Sequence, residues 1–83
     1  MTRDEVLTLV REHLAEELEV DATGIVEGTR FKEDLDADSL DLVELVMGLE
    51  ERFDISVPEE DLEDVTTVGQ AVDLVVGKVN AKA

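Results

Sequence analysis

The part of the chain that most restricts its fold runs from Asp38 to Phe53, where large apolar residues recur at helical spacing. The apolar positions are Leu42, Leu45, Val46, Leu49 and Phe53. Residues three and four apart share one face of an α-helix, so these side chains form a continuous apolar stripe. Asp38 can cap the start of this helix, and Asp41 places a negative charge near its positive end. The pattern predicts an amphipathic helix with one buried face.

Two other segments carry the start signals and apolar spacing of long helices. Thr2 and Glu5 have the spacing of a capping box, which predicts a helix over about Arg3 to Leu18. Its apolar face comprises Leu7, Val10, Leu14 and Leu18. Thr67 and Gln70 begin a last helix, whose apolar face comprises Val68, Ala71, Val72, Val75 and Val79. Both helices are expected to contribute to a single core.

The remaining segments predict a loop and a short helix. The glycine-containing stretch from Asp21 to Lys32 has few periodic apolar positions and predicts a long loop. Ile25 and Phe31, with Val26 as a further candidate, are expected to attach this loop to the core. Pro58 stands at or beside the start of a short helix of about two turns. The sequence shows no hairpin signal and no clear alternating strand.

The predicted fold is all-α, a four-helix bundle with three main helices, one short helix and a long first loop. The chain has 83 residues, the size of one small domain, and no repeat or low-complexity linker divides it. We therefore expect a single domain over residues 1–83, with a flexible tail at residues 80–83. Only the two phenylalanines are aromatic, so we expect an aliphatic core.

The chain is strongly acidic. Its 7 Lys and Arg residues and 23 Asp and Glu residues give a formal net charge of −16. This charge repels nucleic acids and anionic lipids and favours partners with basic patches, unless it serves solubility alone.

The chain has no cysteine and therefore no thiol of its own. The N-terminus does not resemble a signal peptide and no apolar run has membrane-spanning length, so we expect a soluble cytoplasmic protein without stable membrane insertion.

The helix that follows Asp38 carries a second apolar strip on another face. At about 100° per residue from Ser39, Leu40, Val43 and Met47 fall at roughly 40–100°, whereas the core stripe falls at roughly 240–340°. The flanking carboxylates are Glu44, Glu50 and Glu51. An apolar strip with an acidic border suits a partner groove that has an apolar floor and a basic rim. The alternative is that the strip packs against the short helix or the loop.

Ser39 does not have the surroundings of a catalytic nucleophile. The only histidine is His13 on the first helix, and no oxyanion-type glycine motif lies nearby. We expect His13 to face partly outward and assign it no site. Enzymatic catalysis by this chain is therefore not expected, and a simple helix-start role for Ser39 remains an alternative.

A calcium site is a further alternative. Asp34, Asp36 and Asp38 alternate like the first ligands of an EF-hand loop. However, Ser39 occupies the place of the turn glycine and Leu45 the place of the bidentate glutamate. We therefore predict no specific metal site, while weak binding of divalent cations by crowded carboxylates remains open.

Ser39 lies within a longer motif. It comprises Asp38, Ser39, Leu40, Asp41, Val43, Glu44, Leu45 and Val46. This motif resembles the modification site of acyl carrier proteins, in which a serine hydroxyl is esterified by a 4′-phosphopantetheine arm. The similarity continues through Met47, Glu50, Glu51, Phe53, Val57 and Pro58 to Thr66, Thr67 and Val68. The family is a small acidic helical bundle, so the resemblance implies an acyl-carrier-like fold.

The resemblance also implies roles for individual residues. Ser39 would be the attachment point of the arm. The residues presented to partner enzymes would be Asp38, Asp41, Glu44, Glu50 and Glu51, together with the apolar Leu40, Val43 and Met47. The residues that line a cavity for the acyl chain would be Val57, Leu62, Val65, Val68, Ala71 and Leu74. One departure is Asp36, where the family commonly has glycine; aspartate tolerates left-handed backbone better than most residues.

The function implied by the resemblance is that of a carrier without catalytic activity of its own. It would hold acyl intermediates as thioesters on the arm, in dissociated fatty acid biosynthesis. The alternatives are a carrier in polyketide synthesis or another specialised acyl pathway, and an unmodified acidic adaptor. The implied partners are a phosphopantetheinyl transferase and acyl-processing enzymes with basic docking patches, and the chain is expected to be a monomer.

Overall fold

Four α-helices make up most of the structure, a computed structural model that describes residues 2–82. The helices are α1 (Arg3–Leu18), α2 (Ser39–Phe53), α3 (Glu59–Leu62) and α4 (Val68–Lys82), and a short 3₁₀ turn spans Ala22–Gly24. Within the described residues there is no strand, only an isolated bridge between Arg30 and Thr67. The all-α fold with three main helices, one short helix and a long first loop is confirmed.

The predicted capping boxes form at the starts of α1 and α4. At α1, the Thr2 hydroxyl accepts from the Glu5 backbone N–H at 3.2 Å, and Glu5 Oε1 accepts from the Thr2 N–H at 3.3 Å. The bond from the Thr2 backbone lowers the pKa of the Glu5 carboxyl. At α4, Thr67 Oγ1 accepts from the Gln70 N–H at 3.3 Å, and Gln70 Oε1 accepts from the Thr67 N–H at 3.1 Å. These bonds satisfy helix-end groups that have no partner inside the helix.

The core is aliphatic, as predicted, and lies between α1, α2 and α4. The buried residues of these helices include Val6, Val10, Leu14, Leu45, Leu49, Phe53, Val68, Val72 and Val75. Two members of the α2 stripe, Leu42 and Val46, are only half-buried. The core therefore covers the face of α2 that they occupy only in part, and Leu42 also lines an open groove.

The first loop is attached to the core by the side chains of Ile25 and Phe31, which are buried as predicted. Val26 is 59% exposed, so its prediction as a further attachment point is wrong. Its backbone N–H donates to the Thr29 hydroxyl, which holds the chain in a turn that directs the Val26 side chain outward.

The same loop is joined by its backbone to the start of α4. The bonds run from Phe31 N to Thr66 O (3.1 Å), from Val68 N to Thr29 O (2.9 Å) and from Gly69 N to Glu27 O (2.8 Å). Two side-chain anchors and three backbone bonds thus fix a segment in which the 3₁₀ turn at Ala22–Gly24 is the only helical structure. This fixed loop forms one side of the candidate site.

Helix α3 is shorter than predicted, since it has about one turn rather than two. No side chain caps its start, and Glu63 and Asp64 follow its C-terminal end, where the helix dipole disfavours negative charge. An ion pair between Lys78 and Asp61 (3.1 Å) joins α3 to α4.

Helix α4 extends to Lys82, so residues 80–82 of the expected flexible tail are helical, and Ala83 lies outside the described residues. Among residues 2–82, no helix has both the length and the apolar character needed to cross a membrane.

The prediction that His13 faces partly outward is wrong. Its side chain is only 7% exposed, and Nε2 lies 3.2 Å from the carbonyl oxygen of Leu45 on α2. The ring occupies the space left by Gly48, because a Cβ at that position would overlap the imidazole. A small residue on α2 therefore lets a polar ring on α1 enter the helix interface.

Replacement of Gly48 by alanine should destabilise the fold. The added methyl group would displace the His13 ring, and overpacking of this kind costs about 1–3 kcal/mol, against a gain of about 1 kcal/mol in helix propensity. Gly77→Ala is the matched control, because nothing lies within 4 Å of a Cβ there. Urea unfolding should show Gly77→Ala to be stabilising by about 0.5–1 kcal/mol and Gly48→Ala to be destabilising.

The same glycine substitution in a His13→Ala variant tests whether the His13 ring causes the loss of stability. When His13 is already alanine, the ring is absent and Gly48→Ala should no longer be destabilising. If Gly48→Ala and Gly77→Ala stabilised the protein equally while His13 was present, the ring would not occupy this space.

Candidate functional site

The start of α2 is held by a reciprocal pair of hydrogen bonds that does not use Ser39. Asp38 Oδ1 accepts from the Asp41 N–H at 2.9 Å, and Asp41 Oδ2 accepts from the Asp38 N–H at 3.3 Å. Ser39 is the first residue of the helix and is exposed, and its hydroxyl has no hydrogen-bond partner within residues 2–82. Because Asp38 caps α2, a capping role does not explain Ser39.

The turn before α2 has a left-handed residue at its centre. Asp36 has φ 54°, a backbone conformation that favours glycine, so this position has the geometry expected where the family commonly has glycine. On one side of the turn, Ala37 is buried and its N–H donates to Phe31 O at 2.9 Å. On the other side, Asp34 Oδ2 accepts from the Arg30 N–H at 2.8 Å, which lowers the pKa of the Asp34 carboxyl. The turn is therefore fixed at both ends.

These contacts occupy two of the three carboxylates that resemble an EF-hand series. Asp34 bonds to Arg30, and Asp38 caps α2. In the part of the chain that the structure describes, no three acidic or histidine side chains are grouped closely enough to hold a metal ion. The aspartates contribute to the turn and to the helix start.

An open groove of about 450 Å³ begins at Ser39. Its apolar lining comprises Phe31, Leu42, Val43, Leu62 and Val65. Its polar lining comprises Arg30, Lys32, Glu33, Glu59, Glu63 and Thr66. The groove thus joins the first loop, the start of α2 and the region of α3. Sequence analysis did not identify its polar residues, because they come from separate segments that only the fold brings together.

A much smaller space of about 20 Å³ lies inside the bundle. Five of the residues predicted to line an acyl cavity do line it: Val57, Leu62, Val65, Ala71 and Leu74. Val68 does not line it, because its side chain is fully buried elsewhere in the core. Phe31, Leu42, Leu62 and Val65 line both the groove and this inner space. They form an apolar boundary between the groove and the inner space.

The second apolar strip of α2 faces solvent. Leu40 is 67% exposed, Val43 40% and Met47 56%, which excludes the alternative that the whole strip is buried against α3 or the loop. Glu44 and Glu51 are also exposed. The strip has the exposure that docking requires, and its role in recognition remains a prediction.

Three of the predicted recognition carboxylates also make hydrogen bonds within the protein, and one of them is Asp38, which caps α2. Glu50 is half-buried, and its Oε2 accepts from the Val57 N–H at 2.9 Å. Asp41 is half-buried in the capping box. These three carboxylates stabilise the fold around the site, whereas Glu44 and Glu51 make no such bond among residues 2–82.

Comparisons with known proteins agree with this geometry. The family model described as "Phosphopantetheine attachment site" matches residues 8–75. An acyl carrier protein of Rubrobacter xylanophilus is 50% identical over 76 residues, covering 92% of this chain and 94% of that protein. An acyl carrier protein of Picosynechococcus sp. is 44% identical over 77 residues, covering 93% and 95%.

Solved structures give the same result. The acyl carrier protein of Thermotoga maritima superposes with a TM-score of 0.86 at 28% identity, covering 100% of this chain and 96% of that chain. That of Enterococcus faecalis superposes with a TM-score of 0.78 at 37% identity, covering 94% and 99%. With the matched family model and relatives that span most of the chain, these likenesses show that the chain belongs to the acyl carrier protein family, whose domain is a phosphopantetheine attachment site.

Proposed function

We propose that Ser39 is the residue to which the 4′-phosphopantetheine arm is attached, and that the chain acts as a single carrier domain. The observation that carries this proposal is the exposed Ser39 hydroxyl, which has no partner within residues 2–82 because Asp38 caps the helix in its place. The hydroxyl is therefore accessible to a modifying enzyme at no cost to the fold. The groove that begins beside it gives an attached arm a surface to lie on.

The arm would supply a terminal thiol that holds acyl groups as thioesters. The chain has no cysteine, so it adds no thiol that could compete for them. Its own residues provide the attachment point and stabilise the attached group. Backbone N–H groups at the start of α2 favour a phosphodiester on Ser39 and partly offset the charge of Asp38.

The chemistry of the acyl groups is assigned to partner enzymes. The only histidine, His13, is buried against Leu45 and Gly48 in the interface between α1 and α2. It cannot serve as a base for Ser39 in that position, since Leu45 lies more than one helical turn further along α2. We infer that the chain has no catalytic activity of its own.

Dissociated fatty acid biosynthesis is the pathway that we propose. The inner space and its boundary are lined by aliphatic side chains and Phe31, which suits an alkyl guest better than a polar one. The net charge of −16 disfavours close association between copies, which supports a monomer. A cytoplasmic location belongs to the same proposal.

Partner enzymes are proposed to dock on the exposed strip of Leu40, Val43 and Met47. Glu44 and Glu51 provide negative charge beside it, so a partner with an apolar groove and a basic rim is complementary. The phosphopantetheinyl transferase and the acyl-processing enzymes would share this surface.

Loading of the chain tests the attachment site. After incubation with coenzyme A and a phosphopantetheinyl transferase, intact-mass analysis should show one added arm on the unchanged protein and none on Ser39→Ala. Ser56→Ala is the matched control, because Ser56 is the only other serine and is also exposed, and it should load fully. An arm on Ser39→Ala, or an unloaded native chain, would support an unmodified adaptor or another attachment residue.

Reversal of one exposed charge tests the docking surface. Glu44→Lys should slow association with the transferase by about two- to tenfold at low salt, because it replaces attraction with repulsion at the basic rim. Glu17→Lys on α1 makes the same change in net charge at another exposed glutamate. Stopped-flow measurements should show a larger effect at Glu44. Equal slowing by the two variants would mean that only the overall charge steers the partner.

A further inference from the structure

We propose that the ammonium group of Lys32 pairs with the phosphodiester of the arm and holds the arm in the groove between the first loop and α3. This inference rests on the proposed attachment at Ser39. It concerns the part of the chain that receives the arm between encounters with partner enzymes.

The groove has the size and the lining for such a role. It measures about 450 Å³, whereas the inner space measures about 20 Å³. Ligand pockets in proteins commonly measure about 300–1,000 Å³, a range that includes the groove and excludes the inner space. The groove can therefore receive the arm without rearrangement of the core. Its floor of Phe31, Leu42, Leu62 and Val65 offers apolar contact below a charged rim.

The acidic rim of the groove would repel a phosphodiester unless a nearby cation offset the repulsion. Glu33, Glu59 and Glu63 line the groove, and the whole chain has a net charge of −16, so a phosphodiester would meet a repulsive field. Arg30 and Lys32 are the cations that line the groove.

The two cations differ in what they already contact. Arg30 pairs with Glu33, and its Nε lies 3.6 Å from Asp34 Oδ2. Lys32 is exposed and has no ion-pair partner within residues 2–82. Lys32 is therefore the groove cation whose charge is not offset by a neighbouring carboxylate in direct contact.

The fold fixes the base of Lys32 beside the groove. The preceding residue, Phe31, is buried, and its N–H donates to Thr66 O at 3.1 Å. Ser39 also lines the groove and is fixed by the cap of α2. A lysine has a flexible stem and three N–H donors, so it can reach a phosphate oxygen without a single rigid geometry.

This arrangement leaves the docking strip accessible. Of the three strip residues, only Val43 lines the groove, whereas Leu40 and Met47 do not. An arm held by Lys32 would thus leave most of the strip accessible to partners.

The test is an NMR measurement on the protein whose Ser39 carries the arm. The arm has a pair of geminal methyl groups next to its phosphodiester, so nuclear Overhauser cross-peaks to the methyl groups of Val43, Leu62 and Val65 report its presence in the groove. Lys32→Gln should weaken these cross-peaks about two- to fivefold, the range expected for an exposed ion pair. Lys32→Arg should preserve them.

Arg52→Gln is the matched control for net charge, because Arg52 is exposed in the last turn of α2. It should leave the cross-peaks unchanged. An independent readout needs no substitution: raising the salt from about 10 mM to 1 M shortens the screening length from about 30 to 3 Å and should weaken the same cross-peaks.

Three results would overturn the inference: no cross-peaks in the loaded native protein, equal cross-peaks in Lys32→Gln, or cross-peaks that do not respond to salt. Intact mass is measured first on every sample. A chain that does not load at Ser39 contradicts the proposed function, whereas a loaded chain without dependence on Lys32 contradicts only this inference.

Discussion

The reciprocal hydrogen bonds between Asp38 and Asp41 are the interaction on which the site depends. They provide acceptors for the backbone N–H groups of Asp38 and Asp41 at the start of α2. The Ser39 hydroxyl is not needed as an acceptor there and remains exposed. The left-handed backbone at Asp36 brings the chain into this cap from the first loop. The position of the serine is thus determined by its neighbours, and its own side chain is not needed for the fold.

The charge of the chain creates two opposing requirements. Negative charge around the exposed strip favours basic partners, but it opposes a phosphodiester placed at the same end of α2. The positive end of the helix offsets part of this repulsion at Ser39. The proposed contact with Lys32, which also lines the groove, would offset another part. In this proposal, a few positive groups near Ser39 would make the site compatible with a surface that is otherwise acidic.

Most of the fold could be predicted because its signals are local. The spacing of Thr2 and Glu5 predicted the start of α1, and Asp38 predicted that of α2. The environment of His13 could not be predicted, because it depends on the space above Gly48, a residue on another helix. The groove could not be predicted for the same reason, since three separate segments of the chain form it. The length of α3 was overestimated because the acidic residues after it act against the helix.

Substitutions at Asp36 test most directly whether the backbone of this turn presents the serine. Asp36→Gly and Asp36→Val both remove the carboxylate, but only glycine adopts a φ of 54° without strain. The strain for valine is on the order of 1–3 kcal/mol. The measurement is the initial rate at which a phosphopantetheinyl transferase loads Ser39. The glycine variant should load within about twofold of the native rate and the valine variant at least about fivefold more slowly. Equal rates for the two variants would contradict the dependence of the site on this turn.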